Sequence, residues 1–376
     1  MKVSYWEYNT WLHNIDFAII GSGIVGLNCA LYLRKKHPKA KIVVFEKDIL
    51  PNGASTKNAG FACFGSLSEI IEDLKTHSEE EVIQLVKKRI QGLALLRKNL
   101  GDTTINFKQL GGYELFTLKD QELYENSLSK LPYVNNLLKE SVFSKKDIFF
   151  AKNDPFGFKN VQKTLIFNPF EGQLDTGKMM QSLLQKVIKK GIFVLNSLKL
   201  ESFLSINDQV LLNFEHFEQI SVKKLFIATN GFFNELLKEG NLKPARAQVL
   251  ITKPIKNLKI KGTFHLDRGY YYFRNVGDRV LFGGGRNLDF LTETTTEMNV
   301  TDLIQNQLEQ LLTTTILPGT PFEVEHRWSG IMGVGSQKKP ILKKIDTHVY
   351  CGVRLGGMGV AIGSLVGKEL ATLALK

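Results

Sequence analysis

Three short stretches of this chain combine residue types and spacing that could do chemistry. In the first, Gly21-Ser22-Gly23-Ile24-Val25-Gly26 is followed, 20 positions after its last glycine, by Glu46 and then Lys47. Gly21 permits a tight turn, Gly23 lets the backbone approach a pyrophosphate, and Gly26 lets a helix and a strand pack closely. A carboxylate at Glu46 would accept hydrogen bonds from ribose hydroxyls. The chemistry is the gripping of a dinucleotide, against the plainer alternative of an ordinary strand-to-helix turn. In the second stretch, Tyr270, Tyr272 and Arg274 alternate with Tyr271 and Phe273. On a strand this puts two phenols and a guanidinium on one face, suited to an aromatic-walled pocket that grips an anion. A surface strand with a solvated arginine competes with that reading. In the third, Arg354 precedes Gly356-Gly357-Met358-Gly359-Val360 and an apolar helix. Backbone N–H groups and a positive helix end can then point at one edge of a ligand.

The flanking elements must position these groups. Asp16–Ile20 reads as a short apolar strand, a helix follows the glycine turn to Lys36, and Ile42–Phe45 reads as a second strand. A polar turn covers Pro51 to Gly60. Helical patterning runs from about Leu67 to Leu100 with a break near His77, where Ser78 is a natural cap. Leu110–Phe116 reads as a strand, and Gln121–Glu140 as a helix interrupted by Pro132. Asp175 or Thr176 caps an amphipathic helix to Lys190, which leads through Gly191 into the strand Ile192–Leu195. Strands near Gln209–Phe214 and Leu225–Thr229 return to the first unit. From Gln248 to about Gly284 the alternation is that of an antiparallel sheet, followed by a helix over Val300–Thr313. Val349–Lys376 reads as strand, glycine-rich turn and helix. The first unit thus draws on the start, middle and end of the chain, so two domains discontinuous in sequence are expected.

Composition narrows the class. The chain has 376 residues, 43% of them hydrophobic and 23% charged, enough for two domains with buried cores. Its net charge of +12 is spread as lysines along helical faces, without the concentrated patch that a nucleic-acid site needs, so no nucleic-acid partner is expected. Three cysteines, Cys29, Cys63 and Cys351, have no metal-like spacing. No metal site and no disulfide framework are expected, and a cytoplasmic location is the simpler one. The N-terminal apolar run serves as the first strand and helix rather than a leader, and the C-terminal run carries Lys368 and Glu369 among its glycines, so no integral membrane segment is expected.

Taken in order, these segments resemble the flavin-dependent D-amino-acid oxidase superfamily, particularly its glycine oxidase, sarcosine oxidase and gamma-glutamylputrescine oxidase branches. The resemblance spans nearly the whole chain. Gly21 to Gly26 with Glu46 resembles that family's FAD fingerprint. Gly53-Ala54-Ser55-Thr56-Lys57-Asn58-Ala59-Gly60 resembles the loop that passes the FAD phosphates and reaches the flavin ring. Gly172-Gln-Leu-Asp175 resembles a recurrent lead into a helix, and Leu200 sits where the family packs a residue on the adenine. Ala228-Thr229-Asn230-Gly231 resembles a turn near the FAD, Ala245–Gln248 the start of the substrate domain, and Tyr270–Gly285 the strands lining the substrate cavity. Trp328-Ser-Gly330 and Arg354–Ala361 resemble the C-terminal flavin contacts.

The resemblance implies an α/β Rossmann-like FAD-binding domain (residues 1–90, 165–240 and 325–376) and a substrate domain on an antiparallel sheet (91–164 and 241–324). It implies hydride transfer from a small amine or amino acid to flavin N5, followed by hydrolysis of the imine. Dioxygen or another acceptor would reoxidise the flavin. Positioning and desolvation then do most of the work, and a helix N-terminus at the N1–C2=O edge favours the reduced flavin. Arg354 is expected to grip a substrate carboxylate, with Arg274, Tyr272 and Tyr270 as further substrate contacts. The pattern departs at Met332, where glycine and D-amino-acid oxidases carry an arginine. No cysteine lies between Gly333 and Lys344, where sarcosine oxidases attach flavin, so the FAD is expected to be non-covalent. His265, His326 and His348 are expected to be structural. A flavin-dependent 2-hydroxy-acid dehydrogenase is an alternative, set back by Lys57-Asn58-Ala59-Gly60 where those enzymes often have His-Asn-Ser-Gly. A flavoprotein module without its own oxidase activity is a third reading, and the oligomeric state is open.

Overall fold

The computed structural model describes residues 2–139 and 146–375. Glu140 and Lys376, at the ends of two expected helices, lie outside them. The strand Ile15–Ile20 is the centre of the first sheet, with Ile42–Phe45 on one side and Ile220–Ile227 on the other, all parallel. Helices pack on one face and the strands Leu200–Ile206 and Gln209–Phe214 on the other, so the strand is buried on both sides and reads as a continuous apolar run rather than an alternating one. The path through this sheet is Ile341–Asp346, Val349–Val353, Ile220–Ile227, Ile15–Ile20, Ile42–Phe45 and Phe193–Leu195. Gln209–Phe214 and Leu200–Ile206 branch from Ile220–Ile227 as antiparallel strands.

The second sheet is built from strands in the order Val324–Val334, Lys243–Thr252, Arg279–Gly284, Tyr271–Val276, Thr263–Leu266, Gly112–Glu114, Thr164–Asn168 and Phe150–Asn153. Its pairings are antiparallel except that of Thr263–Leu266 with Gly112–Glu114. Two of its strands fall in segments that the sequence reading assigned to the nucleotide side. Val324–Val334 hydrogen-bonds along Lys243–Thr252, and Thr164–Asn168 pairs with Gly112–Glu114. The rear face of the sheet is aromatic. Phe264 and Phe273 stack at 4.5 Å, with Phe158, Phe282 and Tyr271 around them and the helix Asp302–Leu311 against the same core.

Alternation along the strands then sends the neighbours of these rings to the front. Register places Trp328, Val249, Gly283, Tyr272, His265 and Glu114 side by side on successive strands. Directly paired residues share a face, so these six form one row across the sheet. Gly283 is a glycine because the Tyr272 ring lies over it: a Cβ there would meet Tyr272 Cε2 at 2.7 Å.

Local signals account for most helix ends. Ser78 and Glu81 form a capping box at Glu79–Leu100, and Asp175 caps Thr176–Lys189 by accepting from Lys178 N at 2.9 Å. Pro132 does not interrupt its helix, which runs through from Gln121 to Lys139. Tertiary contacts outweigh the proline there: Asn135 Oδ1 accepts from the N–H groups of Ile148 and Phe149, and Val134 and Leu138 are buried.

The helix Gly359–Leu373 lies between Ile24–Lys36 and Glu79–Leu100. That close approach needs small residues: a Cβ on Gly92 would stand 2.3 Å from Ala361 O, and one on Gly367 2.5 Å from Val25 O. Gly92→Ala is therefore expected to destabilise the fold by about 1–3 kcal/mol through overpacking. Gly240→Ala, with nothing within 4 Å of its Cβ, serves as the control. Thermal melts of the two variants test this, and equal midpoints would remove the helix contact from the account.

Candidate active site

The carboxyl ends of the central parallel strands and the front of the second sheet enclose one cavity of about 690 Å³. At the first end, Gly21 takes φ +100° with its N–H on Phe45 O at 2.8 Å. A Cβ on Gly26 would meet Gly21 O at 2.0 Å, so the helix Ile24–Lys36 starts hard against the turn. Ser55 Oγ caps that start by accepting from Ile24 N at 3.0 Å. Glu46 is 7% exposed and borders the cavity. Its Oε2 accepts from Ser22 N at 3.0 Å and from Ser22 Oγ at 2.7 Å, while Oε1 takes a longer contact of 3.3 Å from Asp48 N. One carboxylate edge is thus fixed and the other remains for a ligand. Lys47 Nζ lies 3.6 Å over the Phe232 ring at the same end.

Of the other expected cofactor contacts, Gly23, Ile24, Val25, Ala54, Ser55, Lys57, Asn58, Ala59, Leu200, Ala228 and Thr229 border the cavity. Thr229 Oγ1 is buried there without a partner. Ser22, Gly26, Thr56, Gly60 and Gly231 stand behind the wall. Thr56 Oγ1 closes its own turn on Pro51 O at 2.6 Å, and Gly231 packs on Met332, whose carbonyl oxygen is 2.6 Å from where its Cβ would be. In the middle of the cavity Gly356, Gly357, Met358, Gly359 and Val360 present the start of Gly359–Leu373, which no side chain caps. Gly356 has φ +57° and open space where a Cβ would project. An orphan hydroxyl, a half-committed acid, the uncapped start of Gly359–Leu373 and the glycine-lined start of Ile24–Lys36 facing one space fit an anionic dinucleotide.

The substrate-side arginines sit differently from expectation. Arg274 shares its strand face with Tyr272 but is not on the cavity. Its Nε donates to Ala59 O, and its Nη2 donates to Leu174 O at 3.0 Å. Burial pushes this guanidinium down to about 10, and it staples the second sheet to the Ala54–Gly60 loop. Arg354 reaches the cavity wall, but its Nε and Nη2 donate to Lys339 O at 3.1 and 2.8 Å and its Nη1 to Asn241 O at 3.0 Å. These main-chain carbonyls take three of its five N–H donors, including the Nε–Nη2 pair that would grip a carboxylate side-on. Tyr270 and Tyr272 do border the cavity, and beside them stands Arg286, which the sequence reading passed over. Its guanidinium lies 5.7 Å from the Tyr270 ring and 5.0 Å from that of Phe290, with no hydrogen bond or ion pair to another described residue. The signal was its place one residue beyond the Gly283-Gly284-Gly285 run, where the strand turns back toward Tyr270.

The far wall holds acids. The helix Leu67–Leu74, capped by the Ser66–Glu69 box, brings Glu69, Glu72 and Asp73 to the cavity, with Asp73 paired to Lys338 at 2.7 Å. Behind His265, burial pushes Glu114 up to about 7 and Glu171 up to about 8. Among the described residues no group of three or more His, Cys, Asp and Glu is arranged to hold a metal, and no helix is long and apolar enough to cross a membrane.

A two-sheet fold with a large cavity at the carboxyl ends of its parallel strands has the place where open α/β sheets bind dinucleotides. Residues 16–373 match the family model for FAD-dependent oxidoreductases, and the chain belongs to that family. It is similar to a probable oxidoreductase, OrdL, of Haemophilus influenzae, at 19% identity over 97% of this chain and 84% of the relative. Among solved structures, glycine oxidase from Geobacillus kaustophilus superposes with a TM-score of 0.76 at 17% identity, covering 96% of this chain and 95% of that one. L-proline dehydrogenase from P. horikoshii gives 0.75 at 17% identity, covering 96% and 93%. At such identities these likenesses establish the shared fold.

Two measurements follow. Glu46→Ala is expected to weaken FAD binding by about 1–3 kcal/mol, since it removes a charge-assisted acceptor. Titration of the flavin-free protein reads the constant, and an unchanged value would take Glu46 out of the site. Glu171 supplies a pH dependence. Its folded-state value of about 8 lies above the ordinary 4.5, so the folded chain holds this proton more tightly than the unfolded one. The stability it contributes is complete below 4.5 and is lost as the pH rises through about 8. Glu171→Gln should flatten the fall in melting temperature between about pH 5 and pH 9. Parallel curves for the two proteins would contradict it.

Proposed function

We propose that this FAD-dependent oxidoreductase oxidises the carbon–nitrogen bond of a small amine or amino acid, with the FAD held non-covalently. The observation that carries the reading is a guanidinium without an ionic or hydrogen-bond partner among the described residues, Arg286, between the rings of Tyr270 and Phe290, on the same cavity as Tyr272 and the glycines of Gly356–Val360. A planar cation walled by aromatics holds a carboxylate in one orientation. Glycine oxidase, L-proline dehydrogenase and an iminodiacetate oxidase from Chelativorans sp. BNC1 share the fold, the last with a TM-score of 0.73 at 17% identity, and their names point to the same substrate class.

The chain's own groups divide the work. Gly23, Val25 and Ser55 line the pyrophosphate end at the start of Ile24–Lys36, and Glu46 holds a ribose. These residues would hold an FAD, which would supply the two-electron acceptor for the oxidation. The N-terminus of Gly359–Leu373 favours negative charge at the edge it faces. Arg286 orients the acid group of the substrate, and Tyr272 with Phe61, 5.6 Å apart at their ring centres, excludes water from the reacting face. Arg354 and Arg274 hold the walls. Water then hydrolyses the released imine. Met332 borders the cavity without an ionic role.

Anaerobic bleaching of the flavin against amines, amino acids and 2-hydroxy acids tests this function, and bleaching by hydroxy acids alone would replace it with the dehydrogenase reading. Flavin left in the pellet after acid precipitation would refute non-covalent binding. Arg286→Ala is expected to cost about 2–5 kcal/mol of transition-state stabilisation at unchanged flavin content, with partial recovery in Arg286→Lys. Arg354→Ala should instead lower the melting temperature or the flavin content. Full reduction rate in the Arg286 variant would return the anchor role to another group.

A further inference from the structure

His265 sits on the cross-sheet row between Tyr272, which faces the main cavity, and Glu114, which does not border it. The imidazole borders two spaces at once. On one side is the main cavity; on the other is a separate buried void of about 10 Å³, shared with Glu114, Glu171 and Asn168. A void of that size holds about one water when polar groups surround it. The groups around it are short of partners. His265 is 6% exposed and its Nε2 is buried without a hydrogen bond, 4.0 Å from Glu171 Oε2. Asn168 Nδ2, also on the void, is likewise buried and unpartnered. A purely structural histidine in a folded core has its ring nitrogens satisfied.

We infer that His265 takes the proton from the incoming substrate ammonium and passes it, through the buried void, to the Glu114–Glu171 carboxyl pair. This rests on the amine-oxidising reading above. The step balances simply. The N–H bond of R–NH3+ breaks, its proton bonds to Nδ1 of the neutral imidazole, and its electron pair stays on nitrogen as the lone pair that hydride loss requires. The Nε2 proton leaves for a carboxylate across the void, restoring a neutral ring. No oxidant enters this step.

The surroundings fit the direction of transfer. Desolvation favours loss of the proton from an ammonium entering the cavity, and burial holds His265 below the ordinary imidazole value, so its ring is neutral and has a nitrogen free to accept that proton. Near neutral pH, Glu114, pushed up to about 7, is part carboxylate and can accept a proton, whereas Glu171, pushed up to about 8, is mostly a neutral acid. The groups facing the ring are Tyr272 from the next strand, Glu114 from the other neighbour, Glu171 ahead of the strand Gly172–Gln173, and Glu69 from the cavity helix. Glu114 is held by Ser66 Oγ at 3.0 Å, by Ser68 N at 3.1 Å and by Ser68 Oγ. Glu171 accepts from Phe64 N at 3.2 Å. These bonds fix the pair without filling the void side.

The test has two arms on the flavin-loaded protein. In the first, anaerobic bleaching by glycine, sarcosine, L-proline and L-lysine is followed across pH for the wild type, His265→Asn and Glu114→Gln. His265→Asn is expected to keep its flavin and to bleach at least about tenfold more slowly below the ammonium pKa, approaching the wild-type rate above it, where free amine enters already neutral. A variant with the wild-type pH profile overturns the relay. In the second arm, the histidine ring resonances are titrated with no substrate present. The His265 titration is expected to shift in Glu114→Gln and Glu171→Gln, because the groups share one void. An unshifted titration overturns the relay whether or not an amine is oxidised. Failure of every amine to bleach the wild type, with the titration coupled, would instead count against the amine-oxidising reading.

Discussion

Backbone packed directly on backbone is the constraint on which the rest depends. Gly26 meets the Gly21 carbonyl, Gly367 meets that of Val25, and Gly92 meets that of Ala361, each at a separation that no Cβ would allow. These contacts draw Ile24–Lys36 and Gly359–Leu373 together until their N-terminal ends open on one cavity. Helix dipoles decay within about a turn, so two positive ends reinforce each other only at such close range. Residues more than three hundred positions apart are thereby made into one anion-binding surface. A larger side chain at any of these glycines would separate the two ends and weaken the site before altering any residue that touches a ligand.

The first unit was legible because its signals are local. The glycine turn, the flanking apolar runs and the acid at Glu46 all fall within one short segment, and the physics of each is a matter of neighbours in sequence. The capping residues Ser78 and Asp175 were legible for the same reason. Front and rear faces of Tyr271–Val276 also followed from alternation, with Tyr271 and Phe273 in the aromatic core. What alternation could not reveal is how far along its face a side chain reaches. Arg274 and Tyr272 share a face, yet one closes the wall and the other faces the cavity, because Ala59 and Leu174 bring their carbonyls against the arginine.

Arg354 and Arg286 illustrate the same limit from opposite sides. Arg354 stood in the right motif, but the loops carrying Asn241 and Lys339 fold over and take three of its donors. Arg286 stood outside any motif, and only the turn of Arg279–Gly284 back toward Tyr270 makes it a neighbour of the Tyr270 and Phe290 rings. Pro132 was read as a break and is not one, because its helix is held by Asn135 to a segment more than ten residues away. Partners of this kind are properties of the folded chain, and no window of sequence contains them.

The staple at Arg274 also bears on how molecules come and go. Its buried guanidinium donates to Ala59 and Leu174, and Trp328 Nε1 donates to Lys57 O at 2.9 Å, so the second sheet is bolted to the loop that floors the cavity. Swinging the two sheets apart would break these three bonds at once and open a packed, buried seam. A hinge at that seam is therefore a poor doorway. The rim beside the Asp267–Gly269 turn is built differently: three successive residues there take left-handed backbone angles, and Arg268 on the cavity edge stands exposed. A gate of a few side chains at that rim would carry its own signature, a turnover rate with the weak viscosity dependence of rotamer exchange, with the two halves of the molecule keeping still.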